Sequence, residues 1–338
     1  MPLFANRYEQ KDLLGRGYFS RVWRAHDNNL GIDVALKLFK NGTDIDDATY
    51  EAKKLMMLRG PHVLQVLNAD KHQDIAFVVT YIAKQGSAES KSKGKGVTPA
   101  KAIGWVRDML IGLEVCHNAD LLHRDVKASN IFLQSLDEAL LGDFGLVAEI
   151  GPDGTADAHG LWSIRAPECF GSGRATIRSD IYSSGLALYT LLSGVDPFWR
   201  NTEVETIAAV KARDYRRIRD LAPHTPRTLA MRIERAMADD PAKRYASSAE
   251  FHQALGEITS LGVDWVRTSS HAGHEKCWHG SHREGQDLSV CVAKFGSGFS
   301  YETRKAEGSG QRIRDCCGTA KDEAKLGVAL RAVFDSLT

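Results

Sequence analysis

From Tyr8 to Phe39, short apolar runs alternate with glycines, which predicts strand, turn, strand and strand. Val63–Leu67 and Ile75–Ile82 are rich in valine and isoleucine and predict two more strands. Between them, Asp46–Leu58 places Leu55, Met56 and Leu58 at helical spacing behind an acidic start, which suits the positive end of a helix. The stretch Gln85–Thr98 is polar, basic and glycine-rich with no apolar period, and it predicts a mobile loop. Pro99 is placed to open a helix that reaches about His117. Further helices are expected over Thr176–Ser193, Val204–Lys211, Pro226–Ala238 and Ser247–Gly262. A small sheet with one helix, followed by a large helical region, implies a two-lobed α+β architecture. The cleft between the lobes is then the default site.

The end of the chain changes character. Trp265–Gly285 is rich in His, Gly and Ser and shows no clear period. Leu288, Val290 and Val292 alternate with polar positions, Gly296-Ser297-Gly298 marks a turn, and Phe299–Lys305 can return as a strand. Ala324, Val328, Phe334 and Leu337 form an apolar stripe within Thr319–Leu337. Residues 263–338 therefore read as a small strand-and-helix module joined to a larger domain over 8–262.

Composition adds little. The net charge of +1 offers no global attraction for nucleic acid or a membrane surface. The opening MPLFANRYEQ has no basic stretch followed by a long apolar core, so no signal peptide is read. The most apolar stretches, such as Ile181–Leu192, are too interrupted to span a bilayer. A soluble, cytoplasmic protein is expected. Six cysteines in 338 residues are sparse for a disulfide framework, so reduced thiols are expected, with Cys316 and Cys317 buried or partly buried.

Chemistry enters through ordered motifs. Gly15-Arg16-Gly17-Tyr18-Phe19-Ser20 lies between two strand candidates, with Val22 after it. Glycines in such a hairpin let backbone amides approach phosphates. Val34-Ala35-Leu36-Lys37 puts a lysine on a later strand, and Glu51 on the following helix is spaced to pair with it. His123-Arg124-Asp125-Val126-Lys127-Ala128-Ser129-Asn130 is followed by Asp143-Phe144-Gly145 and then by Ala166-Pro167-Glu168. Phosphoryl transfer from ATP needs these residue types. Asp125 can orient a substrate hydroxyl and take its proton, and Asn130 and Asp143 can hold Mg2+. Lys37 can hold the α- and β-phosphates when Glu51 fixes its direction.

With this set in order, Tyr8 to Ile258 resembles the eukaryotic-type protein kinase family. The resemblance implies a bilobal fold, with an N-lobe over about 8–82 and a C-lobe over about 83–262, binding ATP and Mg2+ and acting on a protein substrate. It implies adenine held by backbone groups near Thr80, Tyr81 and Ile82, between Val22, Ala35 and Leu133, with Val79 as gatekeeper. Lys127 matches the serine/threonine-specific branch. By the same resemblance Asp180 braces the catalytic loop, and Arg244 pairs with Glu168. Leu161 and Ile164 depart from the family pattern, standing where threonine and tyrosine are common. An inactive nucleotide-binding scaffold is the alternative, but such proteins usually lose the lysine or one of the aspartates, and all are present here. Small-molecule kinases of the same fold usually lack the Ala-Pro-Glu segment and its arginine partner.

Three secondary readings complete the sequence. Thr155 and Ser163 are the hydroxyl residues between Asp143 and Glu168. Ser163 should be packed, and Thr155 is the candidate phosphosite, with Arg124 to receive the phosphate. The C-terminal module reads as a protein-binding or regulatory unit. The lysines beside its last helix, Lys321 and Lys325, bear only a faint likeness to the end of a double-stranded-RNA-binding domain. His274, Cys277, His279 and His282 are close enough to suggest zinc, but their spacing fits no standard finger, and a polar loop with surface histidines is the expectation.

Overall fold

The computed structural model describes residues 3–17, 20–40, 56, 58–258, 261–282, 285–305 and 310–337. The N-lobe is a five-stranded antiparallel sheet of β1 (Tyr8–Arg16), β2 (Ser20–Asp27), β3 (Ile32–Phe39), β4 (Val66–His72) and β5 (Ile75–Tyr81), in the order β1-β2-β3-β5-β4. Strand alternation gives this sheet two faces. Tyr8, Ala25, Val34, Leu36, Phe77 and Val79 form a core on one face. Val22 opposite Lys37, Lys37 opposite Val78 and Ala35 opposite Thr80 share the other face, toward the C-lobe. The fourth strand begins later than the sequence suggested; Val63 makes only an isolated bridge to Leu141. The helix expected over Asp46–Leu58 lies outside the described residues, save Met56 and Leu58.

The segment expected as a loop over Gln85–Thr98 contains a short helix, α1 (Ala88–Ser92). Ser87 caps it, accepting from Ser90 N, and Ala88 and Ser92 are buried. The segment is then tied to the second lobe through main chain, with Gly94 N donating to Gly194 O and Val97 N to Leu191 O. A five-residue helix is too short to show a period, and main-chain ties leave no side-chain signature.

The C-lobe comprises α2 (Pro99–Asn118), the short strands β6 (Leu121–Leu122), β7 (Ile131–Leu133), β8 (Ala139–Leu141), β9 (Ala148–Glu149), β10 (Ala156–Asp157) and β11 (Arg174–Ala175), and six more helices. These are α3 (Cys169–Ser172), α4 (Ile177–Ser193), α5 (Glu203–Ala212), α6 (Ile218–Leu221), α7 (Arg227–Ala236) and α8 (Ser248–Gly256). Thr98 caps α2 with Pro99 at its first position, and the helix buries Trp105, Val106, Met109, Leu110 and Leu113. α4 is wrapped on nearly all sides, with Ile181, Leu188, Leu191 and Leu192 fully or almost fully buried. Among the described residues no helix is long and apolar enough to cross a membrane.

The C-terminal module is a second five-stranded antiparallel sheet, β12 (Val263–Thr268), β13 (Lys276–His282), β14 (Leu288–Phe295), β15 (Gly298–Lys305) and β16 (Gly318–Ala320), in chain order, with α9 (Glu323–Ser336) against one face. The Trp265–Gly285 region thus holds most of β12 and all of β13. Its pattern is hidden because Gly280 stands where a β-branched residue would be expected. The Trp265 indole lies over it, with ring carbons 2.7 Å and 2.8 Å from where a Cβ would sit. Phe334 of α9 meets Trp265 and Trp278 edge-on, at 4.9 Å and 5.5 Å between ring centroids.

This module has its own core but docks on the C-lobe. Asp264 accepts from Ala100 N at 3.0 Å, at the start of α2. Arg219 pairs with Asp335 at 2.6 Å and Arg331 with Asp220 at 2.7 Å. His224 is 3% exposed, its ring 5.9 Å from that of Phe334. Burial, helped by the nearby Arg267 charge, pushes the His224 pKa down from 6.5 to about 3. The folded state therefore holds His224 neutral while the unfolded chain binds a proton below pH 6.5. Stability from this group is complete above that pH and is lost as pH falls toward about 3. We expect the wild-type chain to lose up to about 1.4 kcal/mol per pH unit more than His224→Leu between pH 6 and pH 4, in urea unfolding. Parallel pH profiles for the two proteins would contradict this reading of His224.

Candidate active site

The site is assembled around a carboxylate. Asp180 sits in the first turn of α4, capped by Thr176, and is 2% exposed. Its Oδ1 accepts from Arg124 N at 2.9 Å, and its Oδ2 accepts from His123 N at 2.9 Å and from His117 Nε2 at 3.0 Å. Ser248 Oγ lies 3.0 Å from His117 Nδ1 and fixes that ring from behind. Burial alone would raise the Asp180 pKa; the His117 bond and the amide bonds overcome it and hold the group anionic. Two successive amides pinned on one carboxylate set the turn of the catalytic loop, where Arg124 takes a left-handed φ of 60°.

That turn presents Asp125. Its Oδ2 accepts from Lys127 Nζ at 2.7 Å and Asn130 Nδ2 at 2.9 Å, and the same Nδ2 donates to Asp125 O at 2.8 Å. Asp125 Oδ1 is buried and meets no donor among the described residues. Beside it, Gly160 adopts φ 93°; a Cβ there would lie 2.4 Å from Arg124 O and 3.7 Å from Asp125 Oδ1. The close approach therefore requires glycine.

Asp143 follows at a left-handed φ of 58°, with its Oδ1 bonded to Lys37 Nζ. Burial would raise its pKa, but the Lys37 charge and bond, with Lys127 beyond, hold it below the ordinary carboxylate range. A third of its side chain remains exposed. Phe144 is buried, its ring 5.3 Å from that of His123. Burial keeps His123 neutral, and its Nε2 reaches Gly142 O at 3.3 Å. Lys37 and Asp143 thus form one bonded pair and Asp125, Lys127 and Asn130 a second bonded group, with the Lys127 charge acting on Asp143. Glu51 lies outside the described residues, so Asp143 is the described partner of Lys37.

These residues fit Mg2+. Asp143 is an anion open to the cleft, and the Asn130 amide nitrogen is engaged, leaving its Oδ1, the atom able to ligate a cation, outside those bonds. Gly145 supplies the room, since a Cβ there would lie 3.3 Å from Lys37 Nζ and 3.4 Å from Asp143 Oδ1.

Above the cleft, Gly15 pairs with Val22 across the β1–β2 hairpin, and Gly17 N donates to Ser20 O at 2.9 Å. Val22 and Ala35 share the cleft face with Lys37. Leu133 is fully buried on β7 and is tied to the chain after the hinge, donating to Gly86 O and accepting from Gln85 N. Tyr81 ends β5 with an exposed side chain, and Ile82 follows, half-buried. Val79 requires a correction. It pairs with Leu36 and is fully buried in the opposite core, whereas Thr80, opposite Ala35, faces the cleft. Because neighbours in a strand point to opposite faces, a shift of one residue exchanges core for cleft.

The activation segment is held by arginines. Arg124 donates to Leu146 O at 2.6 Å and Asp157 O at 2.7 Å. The Thr155 hydroxyl donates to Asp153 at 2.9 Å and accepts from Arg174 Nε at 2.7 Å. Arg174, which the sequence did not single out, rather than Arg124, is the cation bonded to Thr155. Ser163 is buried and donates to Asp196 at 2.6 Å. The segment ends on a bidentate pair, Arg244 to Glu168 at 2.7 Å and 2.8 Å. Arg244 also donates to the carbonyls of Ala238, Asp239 and Arg178, which satisfies a fully buried guanidinium.

Comparison with known proteins agrees with this geometry. Residues 8–255 match the family model for the protein kinase domain. The chain is 31% identical over 263 residues to serine/threonine-protein kinase PknD of Mycobacterium tuberculosis, covering 73% of this chain and 40% of that protein. It is 27% identical over 262 residues to PknH of the same organism, covering 75% and 42%. It is 28% identical over 288 residues to the inactive serine/threonine-protein kinase PLK5 of Mus musculus, covering 79% and 45%. The chain belongs to the protein kinase domain family and spans less than half the length of these relatives.

Removing one partner of the Arg244–Glu168 pair leaves a carboxylate with reduced access to water. We expect Arg244→Met to lower stability by about 3 kcal/mol in urea unfolding, with a glutamate that is partly exposed keeping the loss at the low end. A loss within error of zero would show the pair to be dispensable.

Proposed function

We propose that this chain transfers the γ-phosphoryl group of ATP to serine or threonine hydroxyls of a protein substrate. The observation that carries the reading is Asp125, whose Oδ2 is fixed by Lys127 and Asn130 while Oδ1 is buried and meets no donor among the described residues. A substrate hydroxyl at Oδ1 donates its proton there as its oxygen attacks phosphorus. Lys127 beside the attacking oxygen offsets developing negative charge, and Lys37 orients the nucleotide phosphates. Asp143 and Asn130 would hold Mg2+, whose positive charge would offset the negative charge of those phosphates. The hinge main chain at Thr80–Ile82 receives adenine, with Val22, Ala35 and Leu133 as its apolar walls. The lysine and both aspartates that inactive members usually lose are present, and Lys37 is bonded to Asp143, which favours catalysis over a scaffold role.

In this reading residues 8–262 carry the chemistry, and residues 263–338 dock a protein partner or regulate the kinase. The test is transfer from γ-labelled ATP to a general acceptor protein, followed by phosphoamino-acid analysis. We expect phosphoserine or phosphothreonine, an Asp125→Asn rate reduced about 10²- to 10⁴-fold with ATP binding kept, and retained transfer by a chain ending at residue 262. Phosphotyrosine alone, or unchanged turnover in Asp125→Asn, would refute the assignment. Loss of the truncated chain's fold would refute the division.

A further inference from the structure

The face of the C-terminal sheet turned away from α9 gathers four soft or imidazole ligands. Cys277 on β13 and Cys291 on β14 are opposite one another in antiparallel register, so their side chains lie on the same face. The neighbours Trp278, Val290 and Val292 face the other way, into the core. The connection between β12 and β13 folds back over the cysteines. It is held by Ser270 Oγ donating to Glu275 O at 2.8 Å and Glu275 N donating to Val292 O at 2.7 Å. Within it, His274 N donates to His271 O at 3.0 Å, closing a turn in which Gly273 takes φ 84°. The turn brings both histidines to the sulfurs. One ligand atom each from His271, His274, Cys277 and Cys291 lies within 4.8 Å of all the others.

We propose that these four residues bind a zinc ion. His271 Nδ1 is 3.5 Å from Cys277 Sγ and 3.7 Å from Cys291 Sγ. Tetrahedral zinc with its usual bond lengths sets its nitrogen and sulfur ligands about 3.4–3.8 Å apart, so those spacings already suit one ion. His274 Nδ1 is buried and has no hydrogen-bond partner among the described residues, and a metal ion would satisfy it. The cluster holds two thiols and two imidazoles, a donor set suited to zinc. Glu302, in register with Cys291 on β15, is taken by Arg304 at 2.8 Å and Arg312 at 3.3 Å.

The expectation from the sequence was a polar loop with surface histidines, and the residues brought together differ from the closely spaced His274, Cys277, His279 and His282. His279 faces Asp287 at 3.3 Å, and neither it nor His282 joins the cluster, while His271 and Cys291 complete it. Cys291 was invisible because it arrives from the next strand.

Four protein ligands leave no open position, so the ion is structural. It clamps the β12–β13 connection onto β14. Binding forms two zinc–thiolate bonds and two zinc–imidazole bonds and releases the two thiol protons to solvent. The valence of neither zinc nor sulfur changes.

The test uses the full chain, reduced, loaded with Zn2+, desalted and assayed by elemental mass spectrometry, with Co2+ as a spectroscopic probe. We expect about one zinc per chain, and with Co2+ the ligand-field bands of a tetrahedral ion together with thiolate-to-cobalt charge transfer. Cys291→Ser and His274→Ala should reduce metal to background, and His279→Ala should keep it. His271→Ala alters an exposed residue and provides a variant that folds if a cysteine variant does not, as monitored by circular dichroism. Background zinc in the reduced wild type, unchanged zinc in folded His271→Ala, or cobalt spectra without thiolate bands would each overturn the site. So would a Cys277–Cys291 disulfide whose reduced form takes up no metal.

Discussion

The geometry of the candidate site rests on one buried carboxylate. Asp180 would be costly in the C-lobe core without partners, and it is retained because two backbone amides and an imidazole satisfy it. The same bonds give the catalytic loop its shape. With His123 N and Arg124 N fixed, the chain must turn, and Asp125 emerges beside Asn130 with one carboxylate oxygen held and the other meeting no donor among the described residues. One buried charge thereby sets a position.

Other charges extend the same frame. Arg244 and Glu168 close the activation segment onto the helical core, and Arg124 reaches the segment's carbonyls at Leu146 and Asp157. Lys37 comes from the other lobe and meets Asp143 across the cleft. The N-lobe sheet therefore contributes a cation through strand alternation, and the C-lobe contributes anions through loops anchored on helices. The proposed phosphoryl transfer is placed where these two sets meet.

The motifs were legible in the sequence because chemistry restricts residue type. Asp125, Lys127 and Asn130 are bonded to one another, Asp143 meets Lys37, and Arg244 pairs with Glu168, a pairing implied by the family resemblance. What escaped was set by register and by main chain. Val79 and Thr80 differ by one position, and only the pairing of β3 with β5 shows that Thr80 faces the cleft. Gly160 gave no signal apart from its type, because its role is to leave space beside Arg124 O. Arg174 looked like one more surface arginine until β11 placed it beside Thr155. In the C-terminal module the period of β13 was broken by Gly280 under Trp265, and the four-residue His/Cys cluster is formed across strands, where linear spacing carries no information.

The most direct measurement is kcat and Mg·ATP affinity for Asp180→Asn beside the wild type. The variant keeps the volume but loses the charge, and an amide NH2 replaces one of the oxygens that accept from the His123 and Arg124 amides. If Asp180 fixes the catalytic loop, kcat falls about 100-fold through misplacement of Asp125. Mg·ATP affinity falls less than kcat, because Lys37, Asp143 and the hinge do not depend on that loop, whereas Asn130 does. Wild-type kcat in a folded Asp180→Asn protein would contradict the central role given to this carboxylate.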